Sequence, residues 1–313
     1  MEIKKINVGG QAVIEGVMIK SMNNYAVAVR KGKKIIIKKE EIKRKKYPFF
    51  KWYFFRGFVG LLEMLVIGMK SIIWSAEQAA PKEEKIGRHE LAFTLLLSIG
   101  FAILFFIALP YFLTSLAGLN EEHRPFLFNI LDGIIRIIIF LVYIILISFM
   151  EDVKTLFQYH GAEHKAIHCY ERGKELNVKN VKSFTTLHPR CGTSFLLIVF
   201  IVSILVFSIL PSIIVLGYPN FLNMGAWLRK GILIPLRIAL LPLIAGISYE
   251  ILKMSDKQKN SIALKLISMP GLSLQKITTK EPTNEQIAVA IASLKSLLEL
   301  ENTRKNKKIL SKA

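Results

Sequence analysis

Cysteine is nearly absent from this sequence: Cys169 and Cys191 are the two in 313 residues. So small a number excludes a disulfide scaffold and a four-cysteine zinc module. Acidic residues are also scarce, with 23 Asp+Glu against 43 Lys+Arg and a formal net charge of +20. The opening stretch, MEIKKINVGGQAVIEG, holds no apolar core of the kind a secretory signal needs, so a cleaved leader is not expected. No internal repeat of fixed period is visible. What the chain has in abundance is apolar residues, 52% of the total, with a mean hydropathy of +0.41. A disordered basic chain would be poor in Leu, Ile and Phe. Nucleic-acid binders of this charge are rarely so apolar, and no recognition motif accompanies the Lys runs, so no nucleic-acid partner is expected. The combination that remains is a membrane protein with its basic segments on one side.

Four segments are apolar over the ~20 residues that a bilayer crossing needs. They fall at 91–117, 126–150, 194–217 and 231–252. Lys and Arg orient them. Residues 1–90, 151–193 and 253–313 carry 19, 7 and 12, whereas the loops at 118–125 and 218–230 carry 1 and 2. The positive-inside rule then predicts a multi-pass protein of a bacterial-type inner membrane with both termini cytoplasmic. The expected fold class is an α-helical integral membrane protein of about four transmembrane helices. It carries a small N-terminal β-hairpin region and a helical cytoplasmic C-terminal cap. The domain plan follows: 1–46 cytoplasmic and β-rich, 47–90 an amphipathic interfacial or re-entrant helix, 91–150 spans one and two. Residues 151–193 form a cytoplasmic loop, 194–252 spans three and four, and 253–313 the C-terminal segment.

Outside the membrane, YAVAVR at 25–30 alternates as a strand does, and KIIIKK at 34–39 returns after Lys31-Gly32-Lys33. Residues 12–19 read as one further strand, and Gly9-Gly10 as a turn ahead of it. The stretch 47–78 is rich in Phe, Trp, Gly and Leu with interspersed charges, which suits a helix lying in the interface. A fifth span there would disturb the charge-derived topology. Near the C-terminus, Thr283-x-x-Gln286 reads as a capping box that opens a helix through about residue 300, followed by a solvated tail.

The chemistry concentrates in the loop 151–193. His160-Gly161-Ala162-Glu163-His164 fits H-x-x-E-H, the inverted zincin pattern. On a helix His160 and His164 stand one turn apart and can converge on one divalent ion, zinc being the simplest choice. Glu163 lies close to that face as a candidate general base. His168 and Glu171 continue the stripe. A third ligand is needed, and Glu250, at the cytoplasmic end of the fourth span, is the first candidate, with Glu171 the local alternative. The flanks support the helix: Glu151 and Asp152 stand near its start, Arg172 and Lys174 near its end, and Gly173 supplies a stop. The second span is free to continue into it without a break. Gly161 weakens the helix, since an interior Gly costs about 1 kcal/mol relative to Ala.

A second patch, HPRCGTS at 188–194, leads into the third span. Thr193 or Ser194 can cap that helix, and the helix start with Arg190 beside it forms an anion site. His188 and Cys191 are alternative metal ligands, while Cys169 reads as a packing residue. Within the spans, Asp132 and Arg136 are spaced as an i,i+4 ion pair. Arg237 has no obvious mate in its own helix, which leaves a polar cavity or a lipid phosphate as its partner.

These stretches resemble the bacterial YqhQ-like proteins. The residues concerned are GGQAVIEGVM at 9–18, HGAEHK at 160–165, HPRCGTSF at 188–195, Ser248-Tyr249-Glu250, Pro270-Gly271-Leu272 and TTKEP at 278–282. The resemblance runs across nearly the whole chain. It implies a membrane protein and flags the same His and Glu residues, in a group of uncharacterised function described as metal-dependent enzymes. The leading expectation is therefore a metal-dependent membrane enzyme, a hydrolase acting at the cytoplasmic face on an anionic lipid or lipid-linked substrate. Glu163 and Arg190 would be its working residues and a divalent metal its cofactor. The alternative is a non-enzymatic scaffold, assembly factor or carrier whose basic parts contact the bilayer. Nothing in the sequence specifies an oligomeric state.

Overall fold

A computed structural model describes residues 6–42, 53–79, 87–121, 123–257 and 262–310. The boundary expected near 46–47 falls in residues 43–52, which lie outside the described residues, whereas the one at 90–91 falls within the continuous helix Arg88–Ile103. Four antiparallel strands open the chain: β1 Gly9–Val13, β2 Gly16–Lys20, β3 Asn24–Lys31 and β4 Lys34–Glu41, ordered β1-β2-β3-β4. The β3–β4 hairpin is the expected one, with Gly32 at φ 60° in its two-residue turn and Lys31 opposite Lys34. Residues 12–19 are not one strand. They split at Ile14-Glu15 into β1 and β2, with Glu15 at φ 51°, and Gly9-Gly10 sit inside β1 instead of forming a turn.

β2 and β3 are buried on both faces while β4 stays largely exposed, and the strand period of two sorts the side chains. Val17, Ile19, Ala26 and Ala28 face one helical layer, while Val13, Met18, Tyr25, Val27 and Val29 face another. The first layer is α5 Glu151–Glu171 with α10 Asn284–Leu310. The two alanines let α10 come close enough for Ser293 Oγ to donate to the Ala26 carbonyl at 3.0 Å. The second layer is α1 Tyr53–Ala79. Its Ile67 and Trp74 pack on the sheet, Glu63 pairs with Lys20 at 2.5 Å, and Ser75 Oγ accepts from Ile14 N–H at 3.1 Å.

Among the described residues, five helices are long and apolar enough to cross a membrane: Arg56–Ala79, Ala92–Leu116, Pro125–Ile147, Gly192–Gly217 and Trp227–Met254. The last four overlap the four expected segments, and the first, within α1, brings the number to five. The remaining helices in chain order are α2 Arg88–Ile103, running through a π-turn into α3 Leu109–Leu116, then α4 Pro125–Ile147. After α5 come α6 Val178–Lys182, α7 Gly192–Gly217, α8 Ala226–Lys257 and α9 Ile262–Thr278. The bundle carries its large apolar side chains outward, with Leu216 85% and Trp227 89% exposed.

α4 does not run on into α5. Met150 is extended (φ −72°, ψ 133°) and breaks the helix, so α5 starts afresh with Glu151 and Asp152 in its first turn. Gly173, at φ 70°, ends it. The capping box at the start of α10 is formed, Thr283 N–H donating to Gln286 Oε1 at 2.8 Å and Gln286 N–H to Thr283 Oγ1 at 3.3 Å. α10 then continues through Leu310, so residues 302–310 are helix and not a tail.

Gly161 now has a reason. A Cβ there would run into the Lys280 carbonyl oxygen, so the Gly is what lets the segment after α9 lie against α5. Gly161→Ala gains helix propensity but forces two backbones apart. We expect a net loss of about 1–3 kcal/mol in unfolding free energy, measured by thermal or denaturant unfolding in detergent. A rise in Tm would mean the close contact is absent.

Candidate metal centre

The His stripe of α5 faces two covering segments: the turn 183–191 and the C-terminal end of α9. Backbone carbonyls there fix the imidazole tautomers. His160 Nδ1 lies 2.9 Å from Thr278 O, and His164 Nδ1 is hydrogen-bonded to Thr186 O. A carbonyl only accepts, so each Nδ1 carries the proton and each Nε2 presents its lone pair. His160 Nε2 lies 3.2 Å from Cys191 Sγ. Donor atoms of His160, His164 and Cys191 all fall within 4.8 Å of one another. Two imidazole nitrogens with carbonyl-held back sides and one cysteine sulfur form a donor set that suits zinc, with a position left over.

Glu163 borders this triad. Its carboxylate lies 3.5 Å from His164 Nε2 and accepts from the Gly10 backbone N–H. It is 3% exposed and His164 is 2% exposed. Burial raises the Glu163 pKa above its ordinary value, against the attraction of His160, His188 and the Gly10 donor. The same burial lowers the pKa of His164 and of His168, keeping both imidazoles neutral, as metal donors must be. Gly10 is required at its place: a Cβ would meet the Met18 carbonyl and stand 3.0 Å from Glu163 Oε1.

Along α5, His168, Glu171 and His188 form a second group with donor atoms within 4.8 Å. Its chemistry differs. His168 Nε2 donates to Leu187 O at 2.8 Å, His188 Nδ1 accepts from Arg190 N–H at 3.2 Å, and Glu171 is ion-paired with Arg190. His188 Nε2 then turns its proton toward Glu171 Oε2 at 3.5 Å. The group is knitted together by its own protons and a guanidinium, which suits it to bracing the turn more than to receiving a cation.

The sequence-expected residues therefore divide. His160, His164 and Cys191 come together with Glu163 beside them. His168, Glu171, His188 and Arg190 come together one turn further along. Glu250, expected as the third ligand, instead takes both Nε and NH2 of Arg56, at 2.7 and 2.6 Å, and Cys191 completes the triad. Thr193 and Ser194 do not cap α7. The cap is Cys191, whose sulfur accepts from Thr193 N–H at 3.4 Å, and Ser194 accepts from Gln275 at 2.8 Å. Cys169 is buried in the core, as a packing residue would be. Asp132 and Arg136 are paired at 2.7 Å, and Arg237 finds Glu121 at 3.3 Å and Asn129 Oδ1 at 2.9 Å.

Residues 52–300 match the family described as "Protein of unknown function (DUF1385)". The chain belongs to this family. It is 35% identical over 317 residues to "Uncharacterized protein YqhQ" of Bacillus subtilis (strain 168), covering 94% of this chain and 92% of that protein. No solved structure matches. The family match takes in α1 to α9, most of α10 and both histidine groups.

Sequence reasoning missed the residues that hold these histidines in place. Gln275 is the clearest. Its amide accepts from His188 N–H at 2.7 Å and donates to His188 O at 2.9 Å, with every partner buried. Gly271 lets α9 reach Ser194, where a Cβ would stand 2.5 Å from the Ser194 Cβ. The signal was present in the Pro270-Gly271-Leu272 and TTKEP stretches, which had no assigned role.

Gln275→Leu leaves the buried His188 N–H and C=O unmet, and we expect a loss of about 2 kcal/mol in stability. The depressed histidine pKa values set a pH dependence. The unfolded chain takes up protons as pH falls through 6.5 while folded His164 and His168 do not. Stability from these groups is therefore present above pH 6.5 and lost below it. In chelator-treated protein, Tm should fall from pH 7.5 to 5.5, and His168→Gln should narrow the gap. A gap unchanged by His168→Gln would refute the assignment.

Proposed function

We propose that this chain is a multi-pass inner-membrane protein whose cytoplasmic body holds a divalent metal at His160, His164 and Cys191. There it hydrolyses an anionic lipid-linked substrate. The observation that carries the reading is the pair of carbonyl-held Nδ1 atoms that turn both Nε2 lone pairs toward one cysteine sulfur. When bound, a divalent ion supplies Lewis acidity at the cytoplasmic surface. Glu163, its pKa raised by burial, takes a proton and returns it. Gly10 N–H holds that carboxylate in place. Glu171 positions Arg190, whose charge favours an anionic group at the mouth of the turn.

The membrane reading rests on the outward apolar side chains of the bundle and on the one-sided distribution of Lys and Arg. Four helices cross, and α1 lies along the cytoplasmic surface. Two contacts support this. Its Glu63 and Ser75 touch the same sheet that packs on α5 and α10, so both ends of that stretch stay on one side. Leu62, Leu65, Val66, Met69 and Ile73 form an exposed stripe on its other face, fit for the lipid boundary.

One observation favours the second reading, a non-enzymatic scaffold or assembly factor: Glu163 and His164 are almost fully enclosed. Two experiments separate the readings. Metal per protein should drop to background in the His160→Ala/His164→Ala double variant and fall in Cys191→Ser, while Glu250→Gln leaves it unchanged. Unchanged metal in the double variant sinks the site. Glu163→Gln should keep the metal and lose hydrolysis by about two or more orders of magnitude; full cellular function in that variant would select the scaffold. For topology, single cysteines at Lys31 and Lys174 should react with an impermeant thiol reagent from the cytoplasmic side only. A cysteine at Asn223 should react from the opposite side only.

A further inference from the structure

The sheet has an open side at β4. The two-residue turn Gly32-Lys33 makes Lys31 and Lys34 a hydrogen-bonded pair, so Lys34, Ile36, Lys38 and Glu40 bond to β3. The backbone groups of Ile35, Ile37, Lys39 and Glu41 then point away from the sheet. Two flanking bonds fix this phase. Arg30 N–H donates to Glu15 O at 2.8 Å on the β2 side, and Ile42 N–H donates to Asn23 O at 2.7 Å on the β4 side. Among the described residues nothing bonds to the outward N–H and C=O groups of Ile35, Ile37 and Lys39.

Such an edge is a template for a further strand. Proline and bulges are the usual blocks, and β4 has neither. Its ladder to β3 runs unbroken from Lys31 opposite Lys34 to Asn24 opposite Glu41. Its first half is Ile35-Ile36-Ile37, with Ile35 and Ile37 39% and 41% exposed. The faces are already occupied. Lys39 reaches Glu299 of α10 at 2.7 Å on one side, and the Lys38 ammonium stands 5.8 Å from the Trp74 ring of α1 on the other. What is open is the edge.

Charge identifies what fits it. If a second copy of β4 pairs antiparallel with the first, outward groups must meet outward groups, and like charges directly opposite are destabilising. Among the registers that pair five residues or more, centring on Ile36 sets Lys34 against Lys38. Centring on Lys38 or on Lys39 sets that lysine against itself. Centring on Ile37 avoids every such clash: Lys34 faces Glu40, Ile35 faces Lys39, Ile36 faces Lys38, and Ile37 faces Ile37. β4 is therefore self-complementary in one register.

We propose that this chain forms a two-fold dimer in which β4 pairs with β4 of a second copy about Ile37, joining the two sheets into one of eight strands. The axis of such a pair is perpendicular to the sheet. The sheet lies between α1 and the α5–α10 layer, so on the reading that α1 lies along the membrane surface the axis is the membrane normal. Both copies then enter one bilayer in the same orientation. The pairing uses the edge remote from β1 and leaves the Gly10–Glu163 contact untouched.

The test uses the full chain in a non-ionic detergent over a range of protein concentrations. Light-scattering mass should be that of a dimer and fall toward the monomer on dilution. Ile37→Pro removes an outward N–H and no bond to β3, and should raise the dimer dissociation constant about tenfold or more. Lys34→Glu, an exposed change that sets two carboxylates opposite each other, should act in the same direction and covers the case in which Ile37→Pro does not fold. Introduced cysteines read the register, with the native chain, whose two cysteines are buried, as control. Opposed residues of a hydrogen-bonded pair have Cα atoms about 5.5 Å apart, within disulfide reach. I37C should oxidise to a covalent dimer, and a mixture of I35C and K39C to a mixed one. I35C alone should not, because its two copies stand about 14 Å apart. A monomer at all concentrations overturns the proposal and leaves the edge to a strand of a different protein. A dimer equally tight in monodisperse Ile37→Pro and Lys34→Glu, or I35C oxidising as fast as I37C, also overturns it. The cross-links are read in detergent, so failure of the thiol-labelling test of topology would refute the placement of α1 and leave the pairing standing.

Discussion

Two backbone carbonyls decide the character of this molecule. Thr186 O and Thr278 O take the Nδ1 protons of His164 and His160, and everything around them serves to bring those carbonyls to α5. Gly161 opens the space on one side. Gln275 stitches α9 to the turn that carries Thr186 and His188, and Gly271 lets α9 come near enough for the stitch to reach. The imidazoles are therefore oriented before any ligand arrives, and orientation is most of what a helix of histidines lacks when it stands alone.

Much of this was legible from residues near each other in sequence. The four apolar segments, the β3–β4 hairpin, the α5 boundaries and the capping box at Thr283 all follow from local pattern, and local pattern is what a single sequence displays. The errors have a common physical origin in distance along the chain. Glu250 looked available because its mate Arg56 lies 194 residues away. Arg237 looked alone because Glu121 lies on another element. The β1–β2 turn was invisible because its left-handed residue is Glu15, where Gly or Asn is the usual signal. Glu15 is held there by Tyr159 and Arg30, each at 3.1 Å, and both contacts are non-local.

Gly161 illustrates the same limit from the other direction. Read locally, it counts against the helix that carries the motif. In three dimensions it is the condition for the segment carrying the Thr278 carbonyl to reach His160. The cost in helix propensity is about 1 kcal/mol, and it is offset by packing and hydrogen bonds contributed from a segment more than a hundred residues later, Lys280 N–H to Phe157 O among them at 2.9 Å.

β1 has a property that matters beyond its place in the sheet. Successive residues of a strand point to opposite faces. Gly10 meets the Glu163 carboxylate on one face, and the next residue, Gln11, rests against Gly68 of α1 on the other. A single strand is all that separates the apolar-faced helix from the buried Glu163 carboxylate. Where α1 sits in its surroundings and where Glu163 sits among the histidines are consequently one mechanical variable: a shift of the helix cannot be absorbed by intervening layers, because there are none.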